Sequence, residues 1–118
     1  MIKNYHDLEI YQKSYGLALE MHRMTFNFPR HEMYELGSQL RRAAISIPLN
    51  IVEGYGQREY PNVFKKYLIT ALGSCNEVAV ILDMVKDLDY LDDEKFEQFK
   101  ERYDHLGRQI NKLIHTWK

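Results

Sequence analysis

One cysteine, three prolines and six glycines in 118 residues leave few disulfide or chain-breaking options. The lone Cys75 excludes an intrachain disulfide and suits a reducing compartment. No long apolar run is present. The longest aliphatic stretch, Val78 to Leu82, is closed by Glu77 and Asp83, far short of the ~20 residues a membrane span requires. The opening MIKNYHDLEIYQ lacks the apolar core of a signal peptide, so a cytoplasmic protein with no membrane partner is the expectation. Charge of one sign is also missing. A net charge of −1 argues against indiscriminate binding to nucleic acid or anionic lipid, while allowing a local basic patch.

The signatures of catalysis are equally sparse. There is no Gly-rich phosphate loop and no zinc-type Cys/His spacing. The five histidines are scattered, and no Glu-x-x-His pair supplies the di-iron form of a helical bundle. Ser38, Ser46 and Ser74 have neither a glycine elbow nor an evident base. His105 follows Glu101 by four residues, a spacing that suits a solvent-facing ion pair better than a metal site. The expectation is a protein that is not an enzyme, with no cofactor, no metal and no small-molecule substrate.

What the chain does contain is helical periodicity. Breaks at Phe28-Pro29-Arg30, Gly54 to Pro61 and Asp87 to Asp93 leave four segments, and none alternates as a strand would. The third segment repeats Phe64, Leu68, Ala71, Cys75, Val78, Leu82 and Val85 at spacings of four and three. Small residues there, Gly73 among them, would let a neighbour approach closely, and Cys75 reads as core packing rather than a nucleophile. The fourth opens with Asp92, Asp93 and Glu94 and repeats Phe96, Phe99, Tyr103, Leu106, Ile110, Leu113 and Trp117. Short connections between four such helices predict a single all-α domain over residues 1–118, an antiparallel up-down-up-down left-handed four-helix bundle.

Two segments carry more than a core face. The first has one stripe at Leu8, Tyr11, Tyr15, Ala18, Leu19, His22 and Phe26, and another at Ile10, Leu17, Met21, Met24 and Phe28. At ~100° per residue these point in nearly opposite directions, which predicts a subunit contact or, failing that, a covered loop. The second segment sets Leu36, Leu40, Ala43, Ile47 and Ile51 on a core face, with Pro48 expected to kink it. Across it runs a polar line, Gln39, Arg42, Ser46, Asn50, Glu53 and Gln57. This line is either a solvated face or a partly buried hydrogen-bonded network with Arg42 and Glu53 as its charged members. The basic pairs Arg41-Arg42 and Lys65-Lys66, with tyrosines nearby, are the candidate contact for RNA or another partner.

The run EMYELGSQLRRAAISIPLNIVEG over residues 32–54 resembles the 23S rRNA intervening-sequence proteins of bacteria. FKKYL at 64–68, ALGSCNE at 71–77, LEIYQ at 8–12 and the Phe-Pro at 28–29 extend the likeness over most of the chain. The resemblance implies an all-α bundle assembled as a ring-like homopentamer, with no catalytic residue to carry over. A related branch, the accessory variability determinant of diversity-generating retroelements, binds nucleic acid and a reverse transcriptase. The signature positions here are Arg41, Arg42, Ser46, Pro48, Asn50, Glu53, Gly54, Gly73, Ser74 and Glu77. Arg42, Asn50, Glu53 and Glu77 are read as tying the second helix to the third, so Glu53→Ala is expected to destabilise the fold. Two functions follow: a homo-oligomeric scaffold or adaptor, or alternatively an RNA-binding accessory protein.

Overall fold

The computed structural model describes residues 2–118, and all regular structure among them is helical. A short 3-10 turn, Tyr5–Asp7, precedes α1 (Glu9–Thr25), α2 (Arg30–Tyr34), α3 (Leu36–Tyr55), α4 (Pro61–Asp87) and α5 (Asp93–Thr116). The ends follow from local chemistry. Asn4 and Asp7 form a capping box over the 3-10 turn, Pro61 opens α4, and the Asp92 carboxylate accepts from the Lys95 amide. Asp89 closes α4 in the left-handed region at φ 64°, a conformation that Asp tolerates better than most residues.

Four long helices share one core. α1 packs on α3, α3 on α4 and α4 on α5, while α5 returns to α1 along a thinner seam. All seven positions of the α4 repeat are buried, and α5 contributes Phe96, Tyr103, Leu106 and Ile110. α4 is long and apolar enough to match a bilayer span, but it is the helix held between α3 and α5, and its apolar residues largely form the core.

The second segment does not form one helix. The backbone leaves helical geometry at Glu35 (φ −100°, ψ −90°), dividing α2 from α3. Gly37 sits tightly there, since a Cβ on it would lie 3.0 Å from the Glu32 carbonyl and 3.3 Å from Thr25 Cβ. Arg41 secures the corner by donating to Thr25 Oγ1 (2.7 Å) and to the Met33 carbonyl (3.0 Å). Tyr90 reaches back from the α4–α5 turn to donate to Glu32 (3.0 Å). α3 continues through the buried Pro48 as one helix.

Candidate interaction surfaces

α1 buries Ile10, Ser14, Leu17, Met21 and Thr25, the hydroxyls of Ser14 and Thr25 being satisfied by the carbonyls of Tyr11 and His22. The opposite stripe is open only in part: Leu8 is buried in the core, and Tyr11 and Ala18 are half-buried against it. Tyr15, Leu19 and Phe26 are exposed, and His22 packs edge-on against Phe26 with ring centroids 5.2 Å apart. Ile45 and Leu49 of α3 lie exposed beside this stripe. Between the two helices is a shallow groove of about 380 Å³, lined by Tyr15, Ala18, Leu19, His22, Ile45 and Pro48 among others.

A second apolar stripe runs along α4. Ile69, Val80 and Met84 keep 57%, 59% and 48% of their surface exposed. Gly73 lies on this stripe, and a Cβ built there meets nothing within 4 Å. Its small size therefore serves no contact within the chain. Gly54 is the close-packed glycine: a Cβ there would sit 2.7 Å from Tyr67 Cβ and 2.9 Å from Phe64 Cδ1.

The polar line resolves into a small uncharged cluster. The hydroxyls of Ser46 and Ser74 are 2.9 Å apart and join α3 to α4, while Asn50 donates to the Ser46 hydroxyl and carbonyl at 3.0 and 2.8 Å. Arg42, Glu53 and Glu77 are not members. Each is exposed and makes no side-chain hydrogen bond or ion pair among the described residues. This corrects the charged network and removes the reason for Glu53→Ala to destabilise the single chain. Arg42 and Glu53 are left outside because Ser46 and Asn50 occupy the edge of α3 turned toward α4.

The basic quartet also comes apart. Arg41 is held at the α2–α3 corner, with its guanidinium engaged by Thr25 and Met33. Arg42 is exposed but remote from Lys65 and Lys66. The Ser46–Ser74 contact and the packing of Gly54 on Phe64 set Lys65 level with the last turn of α3, roughly 20 Å along the helix from Arg42. One patch of four is therefore not present on a single chain.

Burial pushes the Cys75 thiol up to about 12, which leaves it protonated and unreactive at neutral pH. The neighbouring Tyr103 hydroxyl is buried without a hydrogen-bond partner, and its pKa is raised, chiefly by desolvation. Ion pairs are peripheral: Lys13 to Glu9 (3.0 Å), Lys100 to Asp83 (2.7 Å), Arg108 to Asp104 (2.6 Å), and Arg102 to Glu20. Among the described residues, no three His, Cys, Asp or Glu side chains converge as a metal site.

No curated protein matches the chain. The family described as 23S rRNA-intervening sequence protein does match, over residues 6–112, a span that takes in all four long helices apart from the last turn of α5. The chain belongs to the 23S rRNA-intervening sequence protein family.

Proposed function

We propose that this chain is a non-enzymatic scaffold or adaptor that works as a homo-oligomer, a ring of five in keeping with the family resemblance. Its bundle is read as antiparallel, up-down-up-down and left-handed, a winding that suits the alternating three-and-four spacing of α4 and α5. The observation that carries the reading is the pair of apolar stripes, one on α1 and α3 and the other on α4. They are different surfaces on different helices. A patch that pairs with an unlike patch makes a head-to-tail contact, and such contacts close into rings when the rotation permits.

Magnitude favours covering them. Removing a half-exposed Ile, Leu or Val from water contributes about 1 kcal/mol, so the two stripes together offer several kcal/mol per contact. The open Gly73 lies among Ile69, Val80 and Met84, where a neighbour's backbone could approach closely. A cytoplasmic setting belongs to the same reading and rests on the single buried thiol.

Light scattering on the purified protein tests it. A mass five times 14.1 kDa is expected, with Leu19→Glu/Ile45→Glu and Val80→Glu each reverting to monomer while keeping full helicity. A wild-type mass of 14.1 kDa at micromolar concentration refutes it.

A further inference from the structure

The net charge of −1 is the cancellation of two unlike ends. At one end meet the 3-10 turn, the close of α3, the start of α4 and the close of α5, joined by Tyr55–Phe64 and Phe64–Trp117 ring contacts. Segments 2–13, 53–68 and 108–118, which converge there, hold eight Lys and Arg against four Asp and Glu. Segments 20–35 and 83–101 lie toward the other end and hold five against eleven. The molecule is 45 Å long, whereas charges are screened over about 8 Å at physiological salt. A ligand at the first end therefore meets a cationic surface, whatever the total.

Several of those cations are available. Lys3, Arg58, Lys65, Lys66, Lys112 and Lys118 make no ion pair among the described residues. Two of the four acids are engaged: Asp7 accepts from the Lys3 and Asn4 amides, and Glu9 pairs with Lys13. Arg58 is held in place, its Nη1 donating to the Tyr55 carbonyl (3.0 Å) and its guanidinium 4.3 Å from the Tyr55 ring centroid. That bond uses one of the five guanidinium N–H donors. Tyr60, 63% exposed, is the residue just before α4, two positions after Arg58 and five before Lys65 in the chain.

We propose that this end binds single-stranded nucleic acid, with Arg58, Lys65 and Lys66 on successive phosphates and a base stacked on Tyr60. An exposed ring with unpaired cations within a few residues on both sides along the chain is suited to gripping a strand without reading its sequence. The single exposed acid beside it, Glu59, is outnumbered by Arg58, Lys65 and Lys66, and an unstacked base is needed to use the ring. The surface is complete within one chain, so the inference stands apart from the assembly proposed above. A ring of parallel bundles would add avidity by presenting several such ends together.

The experiment is fluorescence anisotropy with a fluorescein-labelled oligouridylate across a salt series, with light scattering of each sample reporting assembly separately. Saturable binding is expected. Lys65→Gln/Lys66→Gln lowers the slope of log affinity against log salt by about 1.4, two phosphates at roughly 0.7 each. Tyr60→Ala weakens binding roughly tenfold at constant slope, and Lys86→Gln/Lys95→Gln at the acidic end changes neither. Circular dichroism confirms that each variant is folded. Absence of binding at ~100 μM protein, the weak limit of non-specific affinity, overturns the proposal. So does an equal loss from the acidic-end variant. Polyglutamate competing as well as RNA, with Tyr60→Ala silent, overturns it in favour of an acidic protein surface.

Discussion

Two glycines in helices, Gly54 and Gly73, should respond in opposite directions to the same methyl group. Both substitutions to Ala remove backbone freedom from the unfolded chain, a gain of about 1 kcal/mol in a helix interior. At Gly73 nothing opposes it, because the added Cβ points into open space. At Gly54 the Cβ would lie 2.7 Å from Tyr67 Cβ and 3.3 Å from the Phe64 carbonyl, atoms fixed to the α4 backbone rather than at the end of a flexible side chain. α3 and α4 must then move apart, and overpacking of this kind costs about 1–3 kcal/mol. Gly54 lies one residue from the end of α3, so little propensity gain offsets that cost. Thermal denaturation should place Gly54→Ala below wild type by roughly 4–12 °C and Gly73→Ala above it by roughly 4 °C, at about 4 °C per kcal/mol for a domain of this size. All three proteins are compared at one dilute concentration, because association would itself raise the midpoint. If the α4 stripe is the subunit contact, Gly73→Ala also weakens assembly while stabilising the monomer, a split that light scattering beside the melts would reveal. Shifts of the same sign in both variants would refute the geometric argument.

Arg41→Ala leaves the Met33 carbonyl and Thr25 hydroxyl without their donor and should cost about 1–3 kcal/mol in urea denaturation, whereas Glu53→Ala stays within about 0.5 kcal/mol. Equal effects would return Glu53 to the network. Cys75 links stability to alkaline pH. Its folded pKa of about 12 lies above that of an exposed thiol, so its contribution is fully present below about pH 8.5 and is lost as pH rises toward 12. The slope from this thiol approaches 1.4 kcal/mol per pH unit, and Cys75→Ala should flatten the pH 9–10 stability profile by most of that amount.

The repeats of α4 and α5 were legible because a three-and-four spacing leaves one face to bury, and Phe64 through Val85 bury it at every step. The inward stripe of the first segment was legible for the same reason, and the outward one in part: Tyr15, Leu19, His22 and Phe26 face out, but Leu8 joins the core. The break at Glu35 was not. RHEMYELGSQL is continuous in helical spacing, and the chain turns there through Gly37 against Thr25 and Arg41 on the Met33 carbonyl. Those contacts span up to sixteen residues and leave no local mark.

The functional residues failed in a more specific way. Arg42, Ser46, Asn50 and Glu53 share a face by periodicity, but periodicity cannot say how wide a strip of that face a neighbouring helix covers. α4 reaches Ser46 through Ser74 and leaves Arg42 and Glu53, which lie together to one side of that contact, exposed. Lys65 and Lys66 follow Arg41 and Arg42 closely along the chain, yet the turn at 56–60 folds α4 back on α3, so Ser74 meets Ser46 and the lysines stay beside the turn. Lysines near the turn are then gathered with the two chain ends, Lys3 and Lys112 to Lys118, which no local window could group. The same folding back sends Asp83 through Glu101 to the opposite end. A chain that is nearly neutral in sum is therefore polar along its axis, and it is this separation, rather than any single basic motif, on which the proposed nucleic-acid contact rests.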